Sequence, residues 1–531
     1  MTFALGLARA CRAVLRGARR AGALAVLAAA LAPPALSGAP PRAARPATPA
    51  AAAAIDVAQV IDANTLRMFV TNVGSFACDR SVLPLAPGLE FPIGSGEFVA
   101  YAGGLWLGAT VSGAPRLALA EYATEFAPGA MIGPVPDDPT KPEYKVYKLL
   151  RLYPDGATRD AALAAYVAGA EPHGAPIVAV KPDGSLSIRG DEMTWAVYND
   201  AAPANHLSPA GGTAPLGVEV QQTTYALESS GALGRAIFIE FHLLNKGGNS
   251  LSDAFATAWL DADIGAGFDD LVGCDPSLGL GFAYNGSPSD FVYGSTPPAV
   301  GIDVLLGARA GGGTLGMTAF NAYVNGADPD AASQTYDLMR GLLPDGTPIV
   351  SPVDGRHTTF PLSGDPVAGT GWLDTNPTDI RFMTSTGPFS MAPGDEQRIA
   401  FAVVVGQGAD RLASVTQLKS FDATVQQTYD QSFAALGVPP PAPPARLSLS
   451  APRPTPCAGA CTLELRAARG GEATLELLDA AGRRLERRAL GWLGPGAHPV
   501  SIELGARRPG LYFVRARQGS ESAVARAVVA R

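Results

Sequence analysis

The sequence predicts a mainly β protein: a large antiparallel β-sandwich-type body with one or two helices, followed by a small C-terminal β-sandwich. Three observations lead to this fold class. Glycine and proline supply 61 and 46 of the 531 residues, well above their usual combined share of about 12%, which favours turns and short strands. Short β-rich runs recur between clusters of turn residues. Helical spacing of apolar residues is restricted to two stretches.

The strands are predicted from β-branched and aromatic runs bounded by turns. The runs at 236–244 (AIFIEFHLL) and 255–260 (FATAWL) are separated by the turn NKGGN at 245–249. Further strands are predicted at 66–71, 98–109, 194–198, 218–227, 380–385 and 398–405.

Two helices are predicted. Apolar residues at spacings of three and four predict an amphipathic helix over 409–433, and an Ala-rich stretch predicts a weaker one over 159–168. The apolar residues of the longer helix are Leu412, Val415, Leu418, Phe421, Val425 and Tyr429.

Composition divides the chain into five segments. Residues 1–39 contain five arginines, no acidic residue and a short apolar run, the pattern of a secretory signal peptide. Residues 40–54 form an Ala/Pro spacer, and the prolines of 439–444 form an extended linker. The linker separates a β-rich body, 55–438, from a C-terminal domain, 445–531.

Charge is distributed unevenly along the chain. The net charge is −8, but residues 40–444 carry 21 basic and 41 acidic residues, whereas residues 445–531 carry 14 arginines and 7 acidic residues. No positive field extends over the whole chain, which argues against nucleic-acid binding.

The leader's apolar run is shorter than the about 20 residues of a membrane-spanning helix, and no later uncharged apolar stretch reaches that length. We therefore expect a secreted or outer-surface protein with no membrane span in the mature chain.

The stretch 259–275 is the strongest candidate for a binding site. It contains five carboxylates, three interspersed glycines and no basic residue. Such carboxylates repel one another unless solvent or a shared cation separates them, and calcium takes six to eight oxygen ligands in flexible geometry. The spacing is not that of an EF-hand, because Val272 stands where the loop's final Glu belongs. We expect a calcium site of another type; the alternative is a set of solvated Asp and Gly turns. The candidate ligands are Asp261, Asp263, Asp269, Asp270 and Asp275.

The motifs of common enzymes are missing from the sequence. There is no H-E-x-x-H, no G-x-S-x-G and no Walker loop. His242 lies two residues from Glu240 on one face of a predicted strand, a pattern more typical of a structural histidine. Paired carboxylates for polysaccharide hydrolysis would come from 191–192 and 374–379, with Trp195 and Trp372 to stack on sugars.

Two classes of function follow from these residues. The first is a non-catalytic secreted β scaffold that acts in adhesion, matrix or ligand binding, with glycans or the cell-surface matrix as partners. The second is a secreted polysaccharide hydrolase. The missing catalytic motifs favour the first class.

The cysteines fit an oxidising exterior. Cys11 leaves with the leader, so four remain: Cys78, Cys274, Cys457 and Cys461. A bridge between the last two requires a turn at Gly459, because a straight strand would hold their Cα atoms about 13 Å apart. For the first two cysteines, a bridge and buried thiols are equal alternatives.

The C-terminal residues carry a family resemblance. DAAGR at 479–483, GPGAH at 494–498 and GLYFV at 510–514 resemble the type A sorting domain of the bacterial type IX secretion system, an immunoglobulin-like β-sandwich at the end of secreted cargo. The resemblance implies export by the type IX secretion machinery, often with removal of the domain or its exchange for a surface anchor. The sequence departs from the sorting-domain pattern at Cys457 and Cys461 and in its arginine-rich tail. The alternative is a plain immunoglobulin-like module with no sorting role.

The body is similar to segments of large secreted proteins that end in the same domain. That similarity brings no known activity with it. The similar segments are 88–109, 216–227, 259–286 and 363–408.

Overall fold

The structure of the protein, a computed structural model, describes residues 58–435 and, with short gaps, residues 447–529. The predicted signal peptide (1–39), spacer (40–54) and linker (439–444) lie outside the described residues. The gaps fall at 451, 453–456, 458, 468–470, 481, 494–495, 505–506 and 520.

The body consists mainly of short strands. Its first half contains β1 (Ala58–Ile61), β2 (Arg67–Thr71), β3 (Ser75–Phe76), β4 (Cys78–Asp79), β5 (Ala86–Pro87), β6 (Leu89–Glu90), β7 (Phe98–Ala100), β8 (Ala102–Val111), β9 (Ala114–Leu119), β10 (Ala127–Pro128), β11 (Met131–Ile132), β12 (Val135–Pro136), β13 (Tyr147–Leu150), β14 (Glu192–Asn199) and β15 (Val218–Ala226). Its second half contains β16 (Ala236–Asn245), β17 (Leu251–Ala262), β18 (Asp270–Asp275), β19 (Leu280–Asn285), β20 (Ala299–Leu306), β21 (Arg309–Ala310), β22 (Gly313–Thr314), β23 (Ala319–Val324), β24 (Ile380–Met391) and β25 (Glu396–Gly406).

The described residues form three α-helices: α1 (Gly156–Gly169), α2 (Ala332–Met339) and α3 (Arg411–Ala435). Short 3-10 helices occur at Pro142–Tyr144, Glu171–His173, Pro203–Asn205 and Ala232–Arg235.

Two large antiparallel sheets make up the body. Sheet I has ten strands in the order β23-β24-β17-β8-β3-β2-β6-β7, with β1 beside β2 and β9 beside β8. Sheet II has nine strands in the order β10-β14-β15-β16-β25-β20-β19-β18, with β13 beside β14. The prediction of a mainly β, antiparallel fold is confirmed, and every strand predicted in the body is present.

The inner faces of the two sheets pack together and form the main core. Leu105, Leu260 and Phe382 of sheet I belong to the same buried cluster as Phe241 and Phe401 of sheet II. Along β16, alternate side chains enter this core because successive residues of a strand point to opposite faces. The intervening residues of β16, which include Glu240 and His242, therefore face away from it.

The helices cover the outer faces of the sheets. Val415, Leu418 and Val425 of α3 are buried against Phe238 and Phe282 of sheet II, and α1 joins the same cluster. On the other side, α2 contributes to a cluster around Trp106 and Trp259 of sheet I, whose rings stack with centroids 5.9 Å apart. The order of layers is helix, sheet II, sheet I, helix.

Local signals account for two of the three helices. Asp155 caps α1 by accepting a hydrogen bond from the backbone N–H of Thr158 at 2.8 Å, and Asp410 accepts from Leu412 and Ala413 at the start of α3. The predictions at 159–168 and 409–433 are confirmed within a few residues. The sequence did not predict α2, because its eight residues give too short a window for a helical period.

The turn at 245–249 carries the chain from sheet II to sheet I, so β16 and β17 are not a hairpin. Its backbone lies against the segment that precedes β15: the N–H of Gly247 donates to the carbonyl of Gly217 at 2.8 Å. A Cβ on Gly247 would lie 2.9 Å from the Cα of Gly217. This close approach requires glycine.

The C-terminal residues form a second sandwich with its own core. A three-stranded sheet, β26-β27-β30, faces a four-stranded one, β29-β28-β31-β32, and Leu463, Leu465, Leu477 and Val514 lie between them. Side chains of β27 alternate between buried and exposed, as one covered face requires. The strands are β26 (Ser448–Leu449), β27 (Ala460–Ala467), β28 (Gly471–Asp479), β29 (Arg484–Leu493), β30 (Gly496–Glu503), β31 (Gly510–Gln518) and β32 (Glu521–Val529).

The cysteines divide between the two parts of the chain. Cys457 and Cys461 form a disulfide with Cα atoms 6.1 Å apart, and Gly459 lies at a bend between them. Cys274 is a buried thiol whose Sγ donates to the carbonyl of Pro361 at 3.3 Å. The alternative bridge from Cys78 to Cys274 is therefore not formed.

Among the described residues, no helix combines the length and the apolar character needed to cross a membrane.

Replacing Phe241 by alanine tests the main core. Its side chain is 1% exposed and packs edge-on against Phe401, so we expect Phe241→Ala to lower the free energy of unfolding by about 3–5 kcal/mol. Urea unfolding followed by tryptophan fluorescence reports on the body, where Trp106, Trp195 and Trp259 are buried. As a control, Phe291→Ala removes a ring that is 91% exposed and should change stability by about 0.5 kcal/mol or less. Equal losses in the free energy of unfolding for Phe241→Ala and Phe291→Ala would contradict the burial of Phe241 in the main core.

Candidate metal centre

Three carboxylates meet where β17 ends and β24 begins. Asp261 is on β17, Asp263 follows it, and Asp379 precedes β24. Because β17 and β24 are antiparallel, with Asp261 opposite Arg381, the end of one strand lies beside the start of the other. Oxygen atoms of the three aspartates lie within 4.8 Å of one another, and this group could hold a metal ion.

A buried guanidinium lies inside the same cluster. Arg381 is 1% exposed, and it contacts Asp261 Oδ1 at 3.2 Å and Asp379 Oδ1 at 2.7 Å. The hydroxyl of Tyr122 donates to Asp261 Oδ2 at 2.6 Å. Asp261 and Asp379 thus share one fixed positive charge, and Asp263 lies beside them. The remaining negative charge is what a bound cation would balance.

The loop after β17 is shaped by carboxylates that approach its backbone. The N–H of Ala266 donates to Asp290 Oδ2 at 3.0 Å. A Cβ on Gly265, which has φ +61°, would lie 2.2 Å from Asp290 Oδ1, and one on Gly267 would lie 2.3 Å from Asp263 Oδ1. Glycine is therefore required at both positions for the carboxylates to come this close.

Asp270 lies beside the cluster and is fully buried at the start of β18. Its Oδ2 accepts from the N–H of Ile264 at 3.0 Å, while its Oδ1 accepts no hydrogen bond from the described residues. Burial raises the pKa of Asp270 well above its ordinary value, and the nearby carboxylates of Asp269, Asp290 and Asp379 raise it further. The negative potential of the cluster therefore reaches this residue.

The remaining sequence-predicted ligands lie farther from the centre. Burial raises the pKa of the partly exposed Asp269, and the hydrogen bond from Ser287 opposes this shift. Asp275 is at the opposite end of β18, about 17 Å along the strand from Asp270, and binds Lys419 of α3 at 2.9 Å. The structure brings Asp261 and Asp263 together and places Asp269 and Asp270 nearby, but it does not bring Asp275 to the same centre.

Sequence reasoning missed Asp379 and Arg381 as members of this centre. The sequence predicts residues 374–379 only as acids for sugar hydrolysis, with no link to 259–275. The pairing of β17 with β24 and a β-bridge between Asp270 and Thr378 join the two segments, and spacing along the chain carries no signal of either contact.

The carboxylates considered for hydrolysis are engaged elsewhere. Glu192 is buried in an ion pair with Lys148, and Asp191 pairs with Arg151. Trp195 is 1% exposed and belongs to the core between sheet II and the helices. This tryptophan has no surface on which a sugar could stack.

His242 has partners of its own on the outer face of sheet II. Its Nε2 lies 2.6 Å from Glu396 Oε2, and its Nδ1 lies 3.2 Å from Gln221 Oε1. His242, Gln221 and Arg398 line a cavity of about 30 Å³, the volume of about one water molecule. A cavity this small does not admit a sugar.

Comparisons with known proteins give weak likenesses. No protein-family model matches the chain, and no curated protein matches it. Among solved structures, a polysaccharide lyase is similar over 59% of this chain and 34% of its own, with 10% identity and a TM-score of 0.19. PorZ, a type IX secretion component of Porphyromonas gingivalis, is similar over 67% of this chain and 45% of its own, with 12% identity and a TM-score of 0.13.

A third similar structure is a CARDB domain from Pyrococcus furiosus solved with metal ions. It covers 16% of this chain and 86% of its own, with 12% identity and a TM-score of 0.13. At these TM-scores the activities of the three proteins do not transfer to this chain.

Replacing Arg381 tests the electrostatic balance of the cluster. Arg381→Met leaves the buried carboxylate of Asp261 and the partly exposed one of Asp379 without their cation, so we expect a loss of about 3–5 kcal/mol in the free energy of unfolding. Arg340 pairs with Asp337 at 3.2 Å with its side chain 42% exposed, and Arg340→Met should cost about 1 kcal/mol or less.

A double-mutant cycle with Asp261→Asn isolates the pairwise interaction. The double variant should lose less stability than the two single variants together. Additive losses would contradict a direct coupling between Arg381 and Asp261.

Proposed function

We propose that this protein is a secreted, non-catalytic β scaffold whose loops at one end of the sandwich are stiffened by calcium. The observation that carries the proposal is the convergence of Asp261, Asp263 and Asp379, from two distant segments, around one point. In the proposed site these three residues bind the ion. Asp269 and Asp270 add negative potential beside it, since the carboxylates of Asp269 and Asp379 both raise the pKa of Asp270.

The chemistry of the donor set favours calcium. All candidate ligands are carboxylate oxygens, which hard cations prefer. Oxygens on opposite sides of a calcium ion lie about 4.6–5.2 Å apart, since each bond is about 2.3–2.6 Å long, and the observed spread of 4.8 Å is of this size. Because Arg381 already supplies one positive charge, we expect modest affinity, in the range of extracellular modules at about 10⁻⁴–10⁻³ M.

Calcium at this site would fix a surface that carries exposed aromatic rings. Phe268 is 65% exposed and Phe291 is 91% exposed. They lie on the two loops that the hydrogen bond from Ala266 to Asp290 joins. Aromatic side chains are enriched where proteins bind partners, and we propose glycans or the cell-surface matrix as the ligands of this surface.

We also propose that the C-terminal domain, 445–531, acts as the type IX sorting signal that directs export of the protein. Support comes from the sequence motifs at 479–483, 494–498 and 510–514. The two-sheet fold of residues 447–529 agrees with the sandwich that those motifs imply.

Calorimetry tests the calcium site. Chelator-treated protein should bind calcium with heat and melt at a higher temperature when calcium is present, because the ion binds the folded state alone. Asp263→Asn and Asp379→Asn should each abolish both effects. Asp275→Asn, an aspartate that binds Lys419 instead, is the matched control and should retain them. An unchanged heat signal in the first two variants, or none in the parent protein, would refute the site.

Deleting residues 445–531 tests the export signal. In a host with type IX secretion, a chain that ends before the linker should accumulate in the periplasm, on the inner side of the outer membrane. The full-length chain should reach the medium or the cell surface. Immunoblots of cell fractions measure the distribution. Export of the truncated chain at the normal level would sink the sorting role.

A further inference from the structure

The outer face of the four-stranded sheet in the C-terminal sandwich is rich in arginine. Leu475, Leu477 and Val514 point into the core of the sandwich, so the residues that alternate with them lie on the outer face. Residues directly opposite one another on paired strands share a face. Pairing of the four strands thus places these arginines on the outer face: Arg484, Arg487, Arg515, Arg517 and Arg526.

A glutamate at the centre of this face binds three of the arginines. The carboxylate of Glu476 lies 2.7 Å from Arg515 Nη2, 3.1 Å from Arg484 Nη1 and 3.7 Å from Arg517 Nε. Burial opposes the charge of Glu476, but hydrogen bonds from Arg515 and Arg484 hold its pKa below its ordinary value. The carboxylate is therefore charged at neutral pH. The exposed Glu472 is the second glutamate that β28 places on this face.

The arginines outnumber these glutamates and remain accessible. Five positive charges against two negative ones leave a net charge of +3 on the face. A guanidinium has five N–H donors, so one carboxylate cannot use all the donors of three arginines. The side chains of Arg484 and Arg517 are 55% and 53% exposed despite their contacts with Glu476, and Arg487 and Arg526 are also exposed.

Apolar side chains lie between the arginines. Val524 is directly opposite Arg515, and Phe513 is directly opposite Arg526. Val524 is 54% exposed, and Leu511, on the same face, is 39% exposed. Side chains opposite one another in a sheet are about 5 Å apart. The face therefore presents positive charge and apolar surface together.

This combination fits a membrane surface. Guanidinium groups bind phosphate through parallel hydrogen bonds, and anionic lipids attract basic residues near the membrane. Apolar side chains beside those residues can enter the boundary between the head groups and the acyl chains. A soluble polyanion would use the arginines but would gain little from Leu511 and Val524.

We propose that this outer face binds the phosphate head groups of an anionic lipid membrane. The arginines contact the phosphates, and Leu511 and Val524 enter the boundary between head groups and acyl chains. The proposal depends on neither the calcium site nor the sorting role. Calcium heat and export are measured in other experiments, and either can fail without changing the binding of this face to lipid.

Cosedimentation with lipid vesicles tests the proposal. The probe is a vesicle of equal parts phosphatidylglycerol and phosphatidylcholine in the presence of chelator, and the reference vesicle is phosphatidylcholine alone. The chain from residue 40 onward is used, because the arginines of the predicted leader would bind the same lipid. It should bind the probe and not the reference. Binding should weaken severalfold between about 50 mM and about 300 mM NaCl, because salt screens exposed charges.

Removing two arginines tests the electrostatic part of the proposal. Arg517→Gln combined with Arg526→Gln should weaken binding to the probe by about 25-fold, since one basic residue near an anionic surface contributes about fivefold. Folding is expected to be retained, because Arg484 and Arg515 still bind Glu476. An unchanged melting temperature checks this.

A second double variant controls for the overall change in charge. Arg466→Gln combined with Arg340→Gln removes the same two charges from other surfaces. Arg466 is on β27 of the other sheet and is 52% exposed, and Arg340 is on the body and is 42% exposed. This variant should bind the probe as the parent chain does, to within about twofold.

Replacing the apolar residues distinguishes a membrane from a soluble polyanion. Leu511→Thr combined with Val524→Thr keeps the charge of the face and should weaken binding to the vesicles by about tenfold or more, because less apolar surface leaves water. Retention of this variant on immobilised heparin should equal that of the parent chain.

Four results would overturn the proposal. They are equal binding to both kinds of vesicle, unchanged binding after loss of the two arginines, an equal loss in the control variant, and unchanged vesicle binding in the threonine variant. The last result would assign the face to soluble polyanions instead.

Discussion

The rest of the structure depends on one constraint: both faces of each large sheet carry buried apolar side chains, so each sheet needs a cover on either side. The two sheets cover each other, α1 and α3 cover the outside of sheet II, and α2 covers the outside of sheet I. Polar residues on these strands are buried with their neighbours. The side chains of Asp261 on β17 and Asp303 on β20 are both 0% exposed, and their chemistry follows from that position.

The buried carboxylates meet this constraint in three different ways. Asp200 binds backbone N–H groups of the segment 216–218. Asp261 uses the guanidinium of Arg381 and the hydroxyl of Tyr122. Burial and the neighbouring carboxyl group of Asp422 raise the pKa of Asp303 well above its ordinary value. The first arrangement satisfies the charge within the fold, whereas the other two leave negative charge or a protonated carboxyl group.

Local patterns predicted eight strand runs of the body, α1, α3 and the division of the acidic body from the basic tail, because these features depend on neighbouring residues. The same patterns could not predict which strands pair. Asp379 and Arg381 reach Asp261 through the register of β17 against β24, and the length of β18 places Asp275 at its far end. The sequence also could not predict that the turn at 245–249 connects β16 of sheet II to β17 of sheet I.

The position of β25 has a consequence for how the chain matures. This strand lies in the middle of sheet II, between β16 and β20, although it is the last strand of the body in sequence. Until it is inserted, sheet II consists of two separate halves with open edges. Such long-range pairing raises the contact order and slows folding, and exposed strand edges invite association with other chains. The body of this chain can therefore close only after β25, which ends at Gly406, is available to pair with both halves of sheet II.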